Sequence, residues 1–290
     1  GSGGVRCARF SAALGARVAI AEDRYFGGTC VNVGCIPKKL FVNAAHFAEE
    51  RETAFSYGWD VPPASFDWPT LMANKDREIA RLNGVYRSLL ENSKVAVVQG
   101  RAVIAGPHAV DVDGQHFSAR YILIATGGWP VMPDIPGIEF ALDSNDFFHL
   151  PNLPGRALIV GGGYIAVEFA GILKNLGVDT TLSYRGELFL RGFDRDIRQH
   201  LRDVLAAKQI HLQFSHQIKA LEKLPDGEIK VTDSCGASAV YDAVICATGR
   251  APNSHNLGLE NTSVKRNERG AIQVDEFFCT DESGIYPIGD

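Results

Sequence analysis

Two cysteines, Cys30 and Cys35, stand five residues apart in a segment that also contains glycine and lysine. This spacing is poorly aligned on a regular helix, but Gly34 permits an irregular turn that brings the sulfurs together. A thiol beside the cations Lys38 and Lys39, near a helix start, should have a lowered pKa and supply the thiolate that disulfide exchange requires. No second cysteine pair completes a zinc site. The segment therefore predicts a redox-active thiol pair, with two buried structural cysteines as the alternative.

A glycine-rich turn opens the chain and is followed by an Ala-rich stretch and a strand that ends at Glu22. In a GxGxxG fingerprint the glycines let the backbone approach a pyrophosphate, and the helix N-terminus supplies amide donors. Gly1 and Gly4 would be its second and third glycines. Glu22 would accept hydrogen bonds from ribose hydroxyls, with a solvated strand-end carboxylate as the alternative.

A second fingerprint is complete and consists of Gly161, Gly163 and Ala166. It lies between a predicted strand at 157–160 and a predicted helix at 164–176, which is the context that dinucleotide binding requires. The chain is therefore predicted to contain two nucleotide-binding units.

Two further segments, 121–128 and 243–250, each contain an apolar strand that stops at Ala-Thr-Gly, and each closes one unit. The repeated order predicts an α/β fold with two Rossmann-like dinucleotide-binding units, the second inserted in the first. We expect the first unit at 1–128, the second at 129–252, and a return to the first at 253–290.

The second unit has no acid at the position that corresponds to Glu22. Tyr184 stands there, and Arg185 and Arg191 follow. An acid would repel a 2′-phosphate, whereas arginine binds phosphate through charge-assisted hydrogen bonds. This unit is predicted to prefer NADPH over NADH, with two ordinary surface arginines as the alternative.

The composition argues against several classes of protein. Hydrophobic residues make up 46% of the chain, charged residues 22%, and the net charge is -5 without a continuous basic face, so we expect no nucleic-acid partner. No apolar run approaches the roughly 20 residues that a membrane helix needs. Four isolated cysteines and the lack of a charged-then-apolar leader favour a reducing compartment, the cytoplasm.

The stretch from Gly27 to Lys39 resembles the redox-active disulfide segment of the pyridine nucleotide-disulfide oxidoreductases, and the resemblance spans essentially the whole chain. It implies FAD in the first unit, NADPH in the second, and a disulfide between Cys30 and Cys35. Cys30 would be the thiol that attacks the substrate disulfide, and Cys35 the thiol that touches the flavin.

The resemblance also implies roles for residues outside this segment. Lys38 would lie near the flavin, paired with Glu168, and Tyr164 resembles an aromatic gate that covers the flavin until NADPH displaces it. The implied FAD-binding residues are Gly1, Ser2, Gly3, Gly4, Glu22, Thr29, Cys30, Lys38, Thr126, Gly127 and Asp290. The implied NADPH-binding residues are Gly161, Gly162, Gly163, Ile165, Ala166, Glu168, Arg185, Arg191, Gly249 and Arg250.

Within the family the resemblance points to members that reduce oxidised glutathione. Ser2, Arg9 and Tyr86 fall where those members contact their substrate, Tyr86 on a predicted helix at 70–92. Arg6, one turn before Arg9, would suit the carboxylates of oxidised glutathione and disfavour the cationic linker of trypanothione. Trypanothione or another small disulfide, and a non-catalytic dinucleotide-binding redox sensor, remain the alternatives.

The resemblance further implies that the chain is truncated at both ends. It would lack the first strand of the FAD unit and a C-terminal dimer-forming domain that brings a His-Glu pair into the partner's active site. We expect a homodimer for the intact protein. The chain alone would hold the electron-transfer half of the site without its proton-transfer half.

Overall fold

The computed structural model describes residues 1–62 and 65–289. Asp290, which the resemblance assigns to FAD, lies outside the described residues. The α-helices are α1 Ser2–Ala13, α2 Gly28–Asn32, α3 Cys35–Ser56, α4 Trp68–Asn92, α5 Tyr164–Asn175 and α6 Arg195–Ala207. Short 3₁₀ turns occur at Ile138–Phe140, Asp146–His149 and Leu259–Asn261.

The strands are short, between three and six residues each. In chain order they are β1 Ala19–Glu22, β2 Ala96–Gln99, β3 Ala102–Gly106, β4 Ala109–Val112, β5 Gln115–Ser118, β6 Ile122–Ile124, β7 Gly128–Pro130, β8 Arg156–Val160, β9 Asp179–Tyr184, β10 His211–Phe214, β11 Ile218–Lys223, β12 Ile229–Asp233, β13 Ser238–Tyr241, β14 Ala243–Cys246, β15 Arg250–Pro252 and β16 Ile285–Pro287.

Local sequence signals located these elements closely. The helix predicted at 164–176 ends at Asn175, where Leu176 caps it and Gly177 follows with φ of +92°. A positive φ is easy for glycine and stops the helix. The helix predicted at 70–92 begins two residues earlier, at Trp68.

The described chain forms two compact units. The first comprises residues 1–36, 76–129 and 250–290, and the second comprises 37–75 and 130–249. The predicted α/β class is confirmed, and the second unit is inserted in the first. The division differs from the predicted one at 37–75, which belongs to the second unit.

An aromatic cluster explains why residues 37–75 belong to the second unit. Phe41 on α3 is fully buried, and its ring centroid lies 5.2 Å from that of Trp68, 5.8 Å from Phe147 and 5.7 Å from Phe148. Phe147 in turn stacks on Phe169 of α5 at 3.8 Å. The indole N–H of Trp68 donates to a backbone carbonyl, so the ring is buried with its polar atom satisfied.

The second unit is built on a parallel sheet in the order β10-β9-β8-β14. Its strands are mostly buried, as expected for a parallel sheet, and α5 contacts both β8 and β9. An antiparallel sheet of β11, β12 and β13 and the turn Ile138–Phe140 enclose a second apolar cluster in the same unit.

In the first unit the parallel strands form two separate pairs, β1 with β2 and β6 with β16. An antiparallel sheet of β3, β4 and β5 accompanies them. Helix α1 packs beside the end of α4 through a cluster that includes Val5, Ala8 and Leu90. Among the described helices, none combines the length and the apolar character needed to cross a membrane.

We predict that Phe41→Ala lowers the free energy of unfolding of the second unit by about 3–5 kcal/mol, because it leaves a cavity among four aromatic rings. The measurement is urea unfolding. Phe47→Ala on the same helix is the matched control, since Phe47 is 66% exposed and its removal should change stability by less than about 0.5 kcal/mol. Equal effects of the two substitutions would show that the cluster does not hold α3 in this unit.

Candidate redox and dinucleotide sites

The cysteine segment folds as two helices joined by a tight turn in the first unit. Cys30 lies within α2, and Cys35 is the first residue of α3. A Cβ on Gly34 would lie 2.9 Å from the carbonyl oxygen of Thr29 and 3.3 Å from Cα of Cys30. Only glycine lets the chain return this closely, and the return brings Cys35 within hydrogen-bond reach of Cys30. The structure thus brings the two cysteines close together, and a disulfide between them remains a prediction.

A buried amide, which sequence reasoning missed, holds this segment in place. The Nδ2 of Asn32 donates to the carbonyl oxygens of Phe26 at 3.0 Å and Gly28 at 2.9 Å. Its Oδ1 accepts a hydrogen bond from Asn83 of α4 at 2.8 Å. Asn32 thus links the end of α2 to the backbone at its start and connects α2 to α4. An amide flanked by valines was the available signal, because a buried polar group must find partners.

Both cysteines are free thiols in the structure, and the prediction of a lowered thiol pKa is wrong for Cys30. Burial first, then the hydrogen bond and charge of Cys35, raise the pKa of Cys30 to about 11. Partial burial disfavours the thiolate, and a neighbouring thiolate would repel it. One of the two cations that were expected to lower this pKa is itself engaged, because Nζ of Lys38 lies 2.9 Å from Oε1 of Glu168.

The Lys38–Glu168 ion pair joins α3 to α5 within the second unit. Both side chains are partly exposed. Tyr164, the first residue of α5, lies one turn before Glu168, and 61% of it is exposed. The predicted pairing of Lys38 with Glu168 is therefore present, and the Tyr164 ring is largely exposed; its movement as a gate remains a prediction.

The glycine-rich start of the chain lies against the cysteine segment. A Cβ on Gly28 would lie 2.4 Å from Cα of Gly1, so two backbones touch here, and Gly28 has a φ of +63°. A Cβ on Gly4 would lie 3.1 Å from Cβ of Ala125, just beyond β6. This close approach of helix to strand is the role of the third glycine in a dinucleotide fingerprint.

The other residues assigned to FAD lie at strand ends in the same unit. Oε1 of Glu22 accepts a hydrogen bond from the amide of Arg24 at 3.0 Å, which orients the carboxylate, and no described residue bonds its second oxygen. Asn253 ties down the segment after β6, through hydrogen bonds to the carbonyls of Gly127 at 2.7 Å and Thr126 at 3.4 Å. Gly3, Ser2 and Thr29 also lie in the described first unit, on α1 and α2.

The second fingerprint has the geometry that pyrophosphate binding requires. Gly161 has a φ of +150°, and a Cβ on it would meet the carbonyl oxygen of Ala247 at 2.2 Å. Ala166 is fully buried, which lets α5 approach the sheet. Gly163, the N-cap of α5, has open space beside it and offers no side-chain cap, so the first amides of the helix remain available.

Tyr184 fills the position where an acid would bind the ribose of NADH. Its ring stands against two backbones, since a Cβ would meet it at 2.3 Å from Gly162 and at 2.6 Å from Gly186. Arg185 and Arg191 are exposed, and in the described parts of the chain neither guanidinium has a hydrogen bond or an ion pair. The segment thus presents two unengaged cations beside the glycine loop.

The resemblance assigns three further residues to NADPH, namely Ile165, Gly249 and Arg250. Gly249, with a φ of +133°, ends the segment after β14. Arg250 belongs to the first unit, where its guanidinium donates to the carbonyl of Gly128. Ile165 is half-buried in the first turn of α5. Roles for these three in binding NADPH remain predictions.

The residues assigned to the substrate lie on α1 and α4. The guanidinium of Arg6 is exposed and stacks 5.2 Å above the ring of Phe10. Nε of Arg9 donates to Oγ of Ser93 at 3.4 Å, a long hydrogen bond that leaves most of the guanidinium free. Tyr86 is half-buried against the cluster between the two helices. The two cations and the ring thus belong to one region of the first unit.

Ser183, His216 and Asp233 form a chain of hydrogen bonds in the second unit that sequence reasoning also missed. Oγ of Ser183 lies 3.0 Å from Nδ1 of His216, and Nε2 of His216 lies 2.7 Å from Oδ2 of Asp233. Burial would raise the pKa of Asp233, but hydrogen bonds from two backbone amides and from His216 outweigh it and lower the pKa. The order resembles a hydrolytic triad, yet Ser183 is fully buried, so the chain of bonds is a structural brace. The described residues hold no cluster of metal ligands.

The raised pKa of Cys30 leads to a testable expectation. In the reduced protein, alkylation of Cys30 should accelerate as pH rises toward about 11, because only the thiolate reacts. Cys35→Ser should shift that profile to lower pH, since it removes the charge of a second thiolate. Modification by iodoacetamide, followed for each cysteine by mass spectrometry, measures both profiles. A midpoint for Cys30 below its ordinary value of 9.0 would contradict the structure.

The chain is similar to glutathione reductases along its whole length. The chain is 49% identical over its whole length to the glutathione reductase of Burkholderia cepacia, of which it covers 64%. It is 41% identical to the chloroplastic/mitochondrial glutathione reductase of Pisum sativum, of which it covers 54%. The chain therefore spans less than two thirds of the length of these relatives.

A solved structure agrees with the sequence comparison. The HOCl-induced flavoprotein disulfide reductase RclA from Escherichia coli matches the chain with a TM-score of 0.89 at 30% identity, and the chain covers 64% of it. Residues 1–290 also match the profile of one family, the pyridine nucleotide-disulphide oxidoreductases. The chain thus belongs to the pyridine nucleotide-disulphide oxidoreductase family.

Proposed function

We propose that this chain is the dinucleotide-binding part of an FAD-dependent enzyme that uses NADPH to reduce oxidised glutathione. The observation that carries the proposal is the pair Cys30 and Cys35, which the turn at Gly34 holds within hydrogen-bond reach. The names of the relatives from Burkholderia cepacia and Pisum sativum support the choice of substrate.

The residues of the first unit fit FAD. A dinucleotide needs a surface of backbone without side chains and a carboxylate for its ribose. The contact between Gly1 and Gly28 supplies the bare backbone, the uncapped start of α1 supplies amides, and Glu22 keeps one carboxylate oxygen free of described partners.

The residues of the second unit fit NADPH. The pyrophosphate would lie at Gly163 and the uncapped start of α5. Arg185 and Arg191 would bind the 2′-phosphate, because their guanidinium groups are exposed and unengaged within the described residues. Tyr184 occupies the position at which an acid would repel that phosphate.

FAD, when held by the first unit, would supply a hydride acceptor for NADPH and a two-electron donor for the Cys30–Cys35 disulfide. The residues of the chain then perform two thiol–disulfide exchanges. The thiolate of Cys30 attacks one sulfur of oxidised glutathione, forms a mixed disulfide and releases one glutathione. The thiolate of Cys35 next attacks Cys30, which restores the internal disulfide and releases the second glutathione.

Lys38, Glu168 and Tyr164 have supporting roles in this proposal. In this proposal Lys38, which forms a 2.9 Å ion pair with Glu168, would stabilise negative charge on a reduced flavin. Tyr164 is exposed and would swing aside when NADPH binds.

A base must act on Cys30, because its pKa of about 11 leaves the thiol protonated at neutral pH. In the family this base is a histidine paired with a glutamate in the dimer-forming domain. We therefore infer a homodimer for the complete protein. A reducing compartment, the cytoplasm, is the location that suits the free thiols.

The central prediction concerns Cys30→Ser in the full-length protein. The variant should still be reduced by NADPH, seen as bleaching of the yellow flavin, because hydride transfer does not use Cys30. It should lose reduction of oxidised glutathione, because the attacking thiolate is gone. Cys235→Ser is the control, since Cys235 is exposed in the turn after β12 and should not affect turnover.

Two outcomes would count against the proposal. Normal glutathione reduction by Cys30→Ser would remove Cys30 from the chemistry. Flavin bleaching by NADPH without disulfide reduction in the parent protein would favour a redox sensor over an enzyme.

Substrate choice is tested by charge reversal on α1. Arg6→Glu with Arg9→Glu should raise the KM for oxidised glutathione roughly tenfold or more, because each arginine would lose a charge-assisted contact with a substrate carboxylate. The same variant should reduce the preference for oxidised glutathione over trypanothione disulfide, with NADPH kinetics nearly unchanged. Arg17→Glu, just beyond α1, is the control for a charge reversal at a nearby exposed position. An unchanged preference would mean that Arg6 and Arg9 are solvated surface residues.

A further inference from the structure

Arg198 on α6 is a third arginine near the predicted phosphate site, and it differs from the other two. Its Nε donates to the carbonyl oxygen of Phe189 and its Nη2 to that of Leu188, both at 2.7 Å. These carbonyls lie in the segment that joins β9 to α6, midway between Arg185 and Arg191. A guanidinium that donates to two consecutive carbonyls fixes both the position and the orientation of the backbone between them.

The held backbone is strained and is linked to the glycine loop. Leu190, directly after the two carbonyls, has a φ of +57°, a conformation that a leucine adopts only when its surroundings impose it. Its amide donates to the carbonyl of Gly162 at 2.6 Å. The bonds from Arg198 therefore fix the segment directly before a contact with the pyrophosphate-binding turn.

Arg198 is itself held firmly. The N-cap residue Asp194 accepts hydrogen bonds from the amides of Asp196 at 2.9 Å and Ile197 at 3.4 Å, which fixes the first turn of α6. The segment's other anchor is Phe189, which is fully buried and lies 5.6 Å from the ring of Phe214. The helix start is thus a rigid base from which Arg198 reaches the loop.

We propose that Arg198 is a positioning residue that holds Arg185 and Arg191 in the arrangement that binds the 2′-phosphate, and so sets the preference for NADPH over NADH. This inference rests on the proposed use of NADPH. Arg198 does not contact the nucleotide in this account. It acts through the backbone of the segment that carries the two binding arginines.

The test measures binding of 2′,5′-ADP and of 5′-ADP to the full-length, FAD-loaded protein by calorimetry. The two probes differ only in the 2′-phosphate. Arg198→Met should weaken 2′,5′-ADP about tenfold or more, because two charge-assisted bonds to the loop are lost, and leave 5′-ADP close to the parent value. Arg198→Lys restores the charge but not the two-pronged contact, so it should recover only part of the loss.

Arg202→Met is the matched control. Arg202 lies one turn further along α6, and its guanidinium bonds to Asp203 at the surface. This variant removes the same charge from the same helix and should keep the parent preference. If Arg202→Met also lost the preference for 2′,5′-ADP over 5′-ADP, the effect would come from the loss of any positive charge on α6. That result would overturn the proposal.

The remaining outcomes separate this inference from the proposed function. A parent protein that binds both probes equally would refute the use of NADPH, and the inference with it. A parent that prefers 2′,5′-ADP, with Arg198→Met either keeping that preference or losing affinity for both probes equally, would overturn the role of Arg198 alone. If Arg198→Met does not fold, as judged by urea unfolding, Arg198→Lys decides by the same comparison.

Discussion

The proposed chemistry depends on one close contact between backbone segments, at Gly34. The chain must return from α2 to α3 so tightly that a single Cβ would meet a carbonyl oxygen at 2.9 Å. That return is what places two thiols from different helices within reach of each other. Asn32 uses both amide donors and its carbonyl oxygen to keep α2 in this position, two residues from Cys30. The geometry of the thiol pair is therefore set by backbone packing and a buried amide.

The ionisable groups that matter most differ in burial between the two units. Burial disfavours ionisation of the Cys30 thiol and raises its pKa. In the second unit two arginines stay exposed and unengaged among the described residues, while a third is used to shape the backbone that carries them. Guanidinium groups on one short stretch of chain thus differ in whether their donors are already satisfied within the described residues.

A series of hydrogen bonds between the residue types of a catalytic triad does not by itself indicate catalysis. Ser183, His216 and Asp233 are linked as in a hydrolase, but the serine belongs to the buried strand β9. The same three groups brace the end of the sheet where the nucleotide-binding segment begins. The inaccessibility of the serine distinguishes this brace from a catalytic site. In the same way, the open space beside Gly163 distinguishes a helix start that is free to bind an anion from a capped one.

The sequence by itself determined the α/β class, both glycine fingerprints and the closeness of Cys30 to Cys35, because these depend on short spacings and on residue types with one special property. The absence of a side chain at Gly161 or Gly34 has the same meaning in any context. Only the tertiary structure decided which unit contains residues 37–75, since that depends on Phe41 meeting rings far away in the chain. It also decided the direction of the Cys30 pKa shift and the hydrogen bonds that Arg198 donates to the carbonyls of Leu188 and Phe189. Burial and long-range hydrogen bonds are sums over distant neighbours, and no local pattern of residues specifies them.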